Sequence, residues 1–92
     1  MKFEVFTNDR YKILKIIFDN ESEINNERYA RLSQQEISEL AKFSKVKVNL
    51  LLNELISFGI VVMYKNLRGK YSVTSLGKNV IETLNKEIKE EA

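Results

Sequence analysis

The sequence predicts an α+β fold, mostly α, built from three helices, a two-stranded hairpin and a closing helix. Three observations carry this expectation. Two serine-capped helical stretches follow one another closely, opening at Ser33 and Ser44. The second ends at Gly59 and gives way to Ile60–Lys65, a β-branched run that turns at Asn66-Leu67-Arg68-Gly69 and returns through Lys70–Thr74. The flanking segments both repeat their apolar residues at helical spacing.

Taken in order, Thr7, Asn8 and Asp9 offer capping oxygens before Tyr11, Ile13, Leu14, Ile17 and Phe18, which predicts a first helix from about Asp9 to Asp19. Asn20 to Glu27 is polar and acidic and reads as a loop, and Tyr29–Leu32 reads as a short strand. Ser33-Gln34-Gln35-Glu36 has the form of a capping box, in which the serine oxygen takes the Glu36 amide and the glutamate returns to the Ser33 amide. It opens a short second helix with Ile37, Leu40 and Ala41 on one face. Phe43 and Ser44 break that helix, and Ser44 caps a third, which runs to about Phe58 with Gly59 suited to the left-handed position behind it. Thr74 or Ser75 caps a final helix whose stripe is Leu76, Val80, Ile81, Leu84 and Ile88.

The 92 residues hold no proline, no linker and no internal repeat, so residues 1–92 read as a single domain. A domain this small gains stability by associating, which favours a dimer. Cysteine and histidine are both missing, which excludes disulfides, thiol and histidine catalysis, and zinc sites of the Cys/His type. No cofactor is expected. The apolar runs are too short to cross a bilayer and Met1–Val5 lacks the apolar core of a signal peptide, so a cytoplasmic protein without a membrane partner is expected. Glu36 with Glu39, and Glu82 with Glu87, have helix-surface spacing and no cleft signature; they read as caps or solvated charges, not as a catalytic pair, and the chain is not expected to be an enzyme. Each glycine is accounted for by a helix end or a turn, so no phosphate-cradling loop is present.

Charge is distributed unevenly. Between Lys42 and Lys78 stand seven bases (Lys42, Lys45, Lys47, Lys65, Arg68, Lys70 and Lys78) against the single acid Glu54; the remainder holds eight bases and twelve acids. The net charge of +2 thus sums two opposed parts. Clustered positive charge attracts a phosphate backbone and releases its condensed counterions. Helix N-termini add free amides and the positive end of a dipole. Double-stranded DNA is the partner this pattern implies.

The motifs resemble a family. Leu32-Ser33-Gln34-Gln35-Glu36-Ile37-Ser38-Glu39-Leu40-Ala41, then Ser44-Lys45, Val48, Leu52-Asn53-Glu54-Leu55, Gly59-Ile60 and Arg68-Gly69-Lys70-Tyr71-Ser72-Val73-Thr74 resemble bacterial winged helix-turn-helix DNA-binding proteins over about residues 32–84. The resemblance implies a three-helix core, a two-stranded wing and a C-terminal helix, with the third helix in the major groove and the wing on the backbone or minor groove. It assigns Ser44, Lys45 and Lys47 to phosphates and base edges, and Arg68 and Lys70 to wing contacts. Lys42 and Lys65 join them as phosphate contacts, while Asn49, Lys47 and Gln35 are the candidate base readers.

The third helix departs from that pattern. At 100° per residue, Val48, Leu51, Leu52, Leu55, Ile56 and Phe58 share one arc, the core face. Opposite lie Val46, Leu50, Asn53 and Ser57, where a DNA reader ordinarily carries polar groups. Leu50 is open to three readings: an ordinary exposed leucine, a contact to thymine methyl groups, or a residue buried against a twofold copy. Burying one leucine is worth about 1.5–3 kcal/mol, similar to a bidentate arginine–guanine pair at about 1–3 kcal/mol. The favoured expectation is a homodimer with Val46, Leu50 and Asn53 in its interface. Tyr29, Tyr64 and Tyr71 near basic residues read as wing packing in preference to platforms for unpaired bases.

In length and layout the chain also resembles the TubR-like centromere-binding adaptors of tubulin-like (type III) plasmid and phage partition systems. The shared features are the Leu-led second helix, Ser44-Lys45, the apolar third helix, the short basic wing and the Leu76-Gly77 start of the last helix. That resemblance implies dimers that coat arrays of repeated DNA sites and a tubulin-like GTPase as partner. The rival expectation is a small winged-helix transcriptional repressor bound at a palindrome. A winged domain used only for protein contacts is the remaining class, and its mark would be a neutral or acidic third helix and wing.

Overall fold

The computed structural model describes residues 8–66 and 69–91. Its elements, in chain order, are α1 (Asn8–Asp19), β1 (Glu21–Ile24), β2 (Glu27–Arg31), α2 (Gln34–Ala41), α3 (Lys45–Ser57), β3 (Val61–Met63), a 3-10 turn at Tyr64–Asn66, β4 (Lys70–Val73) and α4 (Ser75–Glu91).

The helix boundaries follow from the caps. Ser33 Oγ accepts the Glu36 amide at 3.1 Å and Glu36 Oε1 accepts the Ser33 amide at 3.2 Å, so the capping box forms as the sequence predicts. Ser44 Oγ accepts the Lys47 amide at 3.1 Å and starts α3. Thr74, not Ser75, caps α4: its Oγ1 accepts the Gly77 amide at 3.1 Å and donates back to the Gly59 and Ile60 carbonyls. Between α2 and α3 the chain reverses at Lys42, whose backbone is left-handed (φ 61°). Gly59, also left-handed (φ 74°), ends α3.

The segment 20–27, expected as a loop, contains a strand. β1 pairs antiparallel with β2 through a two-residue turn, Asn25-Asn26, with φ of 53° and 68°. Both central residues at positive φ define the tight hairpin turn whose twist matches the flanking strands, and asparagine is among the residues that tolerate it. β2 in turn pairs with β4, so the expected two-stranded wing is the outer part of a four-stranded sheet in the order β1-β2-β4-β3. The β2–β4 ladder continues into the bond from the Leu32 amide to the Gly69 carbonyl at 3.0 Å.

One core joins these layers. Ile13, Leu14 and Ile17 of α1, Ile37 and Ala41 of α2, and Val48, Leu51, Leu52 and Leu55 of α3 are buried against Ala30, Tyr71 and Val73 of the sheet and Val80 and Ile81 of α4. The predicted core face of α3 therefore holds, except that Phe58 lies at the surface. Two leucines counted into apolar stripes are exposed, Leu40 and Leu76. The reason for Leu76 is its neighbour. Gly77 occupies the core-facing position in the first turn of α4, where a Cβ would lie 2.5 Å from the Ile60 carbonyl oxygen, and this turns Leu76 away. Gly77 is thus a close-packing residue, not merely the start of a helix.

Candidate nucleic-acid interface

The third helix presents three different flanks. Its inner flank is core. The flank toward α1 is neutralised: Glu54 forms an ion pair with Arg10, and Lys47 Nζ lies 2.8 Å from Asp9 Oδ2 and 4.1 Å from the centre of the Phe43 ring. Lys47, expected to face phosphates and bases, therefore turns its ammonium toward the start of α1. Arg10 also lies 6.0 Å from the Phe58 ring, which ties the C-terminal end of α3 to the same helix.

The remaining flank faces the sheet across an open groove of about 550 Å³. Lys45 and Val46 stand at its α3 end, Ile56, Met63 and Tyr71 along its length, and three amides along its rim. Asn49 Oδ1 accepts from Gln34 Nε2 at 3.1 Å and from Asn53 Nδ2 at 3.5 Å. Asn53, expected in a dimer interface with Leu50, sits here with Asn49. Gln35, expected as a base reader, instead donates to Glu39 on its own helix at 2.8 Å and does not join this cluster. Between the groove and the α1 flank, Val46 is 81% exposed and Leu50 59% exposed, so the apolar outer face predicted for α3 is present.

The cations stand in two places, at the start of α3, where Lys45 lines the groove, and on the sheet. Lys42 and Lys45 flank Ser44, where the first-turn amides of α3 point out of the helix end. Ser44 itself uses its hydroxyl as the cap. On the sheet side, Arg31 and Lys70 are direct cross-strand partners. Like charges directly opposite on a sheet repel. Arg31 has no ion-pair partner among the described residues, and an anion between these two side chains would relieve the repulsion. Lys70 Nζ also lies 5.5 Å from the Tyr29 ring. Lys65, in a left-handed conformation (φ 51°) after β3, lies 3.7 Å from Glu27 Oε1 and 5.4 Å from the Tyr64 ring. Arg68 lies outside the described residues.

The tyrosines pack as wing structure. Tyr29 and Tyr64 stack at 4.4 Å with their planes 13° apart, which leaves neither as an open platform for a base. Hydrogen bonding to the Glu27 carboxylate, with burial second, pushes the Tyr64 phenol up to about 12.

Sequence reasoning missed Arg31 and Gln34. Arg31 becomes visible only once β2 is paired with β4. Gln34 carried a signal in its position, the first residue of a helix that leads into the turn before α3. Among the described residues no group of three or more acidic side chains could hold a metal, and no helix is long and apolar enough to cross a membrane.

A helix-turn-helix capped by Ser33 and Ser44, a hairpin wing and a closing helix packed on one core make this a winged-helix fold. Solved structures share it. The MepR–DNA complex from S. aureus superposes with a TM-score of 0.73 at 19% identity, covering 97% of this chain and 71% of that one. The reduced (Fe(II)) CO-sensing protein from R. rubrum superposes with a TM-score of 0.69 at 19% identity over 87% of this chain, which spans 39% of that protein's length. No protein-family model matches the chain, and no curated protein matches it.

Proposed function

We propose that the protein binds duplex DNA as a homodimer at repeated or palindromic sites, with Lys42, Lys45, Lys65, Arg68 and Lys70 on phosphates and α3 toward the major groove. The observation that carries this reading is Lys45 in the open groove beside α3, with Lys42 near it at the outward amides of the α3 start, together with the Arg31–Lys70 pair on the sheet. That MepR, which shares the fold, was solved in complex with DNA supports it. The reading predicts a steep salt dependence: log affinity falls with log salt by about 0.9 for each phosphate neutralised, so about five contacts in each subunit contribute about −4.5 and give the dimer a slope near −9. Affinity for duplex DNA that hardly changes with salt refutes it.

The favoured role is a DNA partition adaptor acting with a tubulin-like GTPase, and the alternative is a transcriptional repressor. Both use the same chemistry. Footprinting separates them, because an array of short repeats covered cooperatively marks partition and one palindrome beside a promoter marks repression. Exposed Val46 and Leu50 support the homodimer. Leu50→Glu should weaken self-association in sedimentation while the monomer stays folded. An unchanged dimer places the interface elsewhere, with α4 the next element to test.

A further inference from the structure

Gln34, Asn49 and Asn53 come from two helices, are separated by up to 19 positions, and meet through one oxygen, Asn49 Oδ1. Each donor spends one amide hydrogen on that bond. Gln34 and Asn53 therefore each keep a second amide hydrogen and a carbonyl oxygen not used in these bonds. One free donor beside one free acceptor is what the adenine edge requires, since N6–H donates and N7 accepts in the major groove. The guanine edge offers two acceptors, O6 and N7, and asks for two donors, ordinarily from arginine or lysine. Of the two α3 lysines that could supply them, Lys47 is held at 2.8 Å by Asp9 on the other flank, while Lys45 lines the groove at the helix start. Lys45, the first residue of α3, belongs with the cations at the helix end.

We infer that Gln34, Asn49 and Asn53 form one adenine-reading array, so that the duplex this protein prefers carries A·T pairs read through their major-groove edges. The inference rests on the duplex-binding reading and adds to it the class of base sequence recognised. The bonds to Asn49 orient the side chains before DNA arrives, which lowers the entropy of ordering them on binding. The array lines the groove beside α3, with Asn53 adjoining the face that carries Val46 and Leu50.

The experiment uses the full chain and four alternating copolymer duplexes: dA-dT, dA-dU, dI-dC and dG-dC, with affinity measured against salt for each. The expected result is tighter binding to dA-dT and dA-dU than to dI-dC and dG-dC by roughly tenfold or more, the range of one bidentate base contact. The chain with Gln34→Leu and Asn53→Leu, two side chains on the surface rim, should lose that preference while keeping its salt slope. Other patterns overturn the inference. Equal binding to all four, or a preference for dG-dC, removes base reading by amides and leaves duplex binding intact. Equal binding to dA-dT and dI-dC, both above dG-dC, assigns the preference to the minor groove, where inosine lacks the guanine amino group. A preference for dA-dT that vanishes on dA-dU assigns it to thymine methyl groups. Binding to none of the four overturns the duplex-binding reading itself, and the inference with it.

Discussion

Adding one methyl group at Gly77 tests how the wing is held to the helical core. A Cβ there would stand 2.5 Å from the Ile60 carbonyl oxygen, 2.6 Å from Val73 Cγ1 and 3.0 Å from Ile60 Cγ2, where ordinary contact begins at 3.4 Å. The nearest obstacle cannot step aside cheaply, because the Ile60 carbonyl accepts both the Thr74 amide at 2.9 Å and Thr74 Oγ1 at 3.0 Å. Overpacking of this kind costs about 1–3 kcal/mol, and a backbone obstacle places it toward the upper end. Alanine recovers about 0.8–1.0 kcal/mol of helix propensity relative to glycine. The net expectation for Gly77→Ala is a loss of about 1–2 kcal/mol, and at about 4–8 °C per kcal/mol for a domain of this size the midpoint should fall by roughly 5–15 °C. Urea unfolding followed by far-ultraviolet circular dichroism reads the change. Gly59→Asn is the comparison: Gly59 is left-handed with nothing within 4 Å of its Cβ position, and asparagine bears that conformation better than most residues, so its loss should come from backbone strain alone and be smaller than that of Gly77→Ala. A Gly77→Ala chain as stable as the parent, with an unchanged m-value, would refute the seating of α4 on the Ile60–Thr74 corner.

Three further substitutions separate binding from stability. Asp9→Asn releases Lys47; because the pair is exposed by 43% and 46%, stability should change by no more than about 0.5 kcal/mol. Duplex affinity should rise and the salt slope steepen by about 0.9 per subunit, and the gain should disappear when Lys47→Ala is added. Lys42→Gly relieves a left-handed lysine, a conformation costing L-residues about 1–2 kcal/mol, against the added unfolded-chain entropy of glycine at about 0.5–1 kcal/mol. The chain should become modestly more stable in urea while its salt slope falls by about 0.9 per subunit, and a loss of both would contradict the phosphate role. For Tyr64, tyrosinate absorbance should show a titration near pH 12 that moves toward 10 in Glu27→Gln. The sign follows from linkage: a phenol held protonated by the fold contributes its stability in full below about pH 10 and loses it as the pH rises to about 12.

The helices were legible because their signals are local. A capping serine and its partner lie three residues apart, and both predicted caps form with the expected bonds. The β1–β2 hairpin was not legible from strand propensity, since Glu21-Ser22-Glu23-Ile24 is poor in β-branched and aromatic residues. Its turn did carry a signal, the Asn25-Asn26 pair between two four-residue segments. What completes that strand is distant in sequence: Glu21 takes the Val73 amide at 3.3 Å and lies 3.6 Å from Arg28 Nε. The site divides in the same way. Cationic residues at the α3 start and on the wing could be read directly, whereas the withdrawal of Lys47 by Asp9 and the approach of Gln34 to Asn49 join elements that only folding brings together.

Those two long-range contacts act in opposite senses on one helix. On the α1 flank, Arg10 with Glu54 and Asp9 with Lys47 pair each exposed charge of α3 with one of opposite sign. This both clamps α3 to α1 and cancels the field there. On the groove flank Lys45 has no ion-pair partner among the described residues. Of the three charges on α3, Lys45 alone is thus left facing the groove, even though the helix's own sequence alternates lysine with apolar residues. A phosphate backbone approaching along that side meets Lys45 at the helix start and neutral amides beyond it. Backbone charge then fixes position and register, and the amides, which gain nothing from phosphate, are left for the base edges.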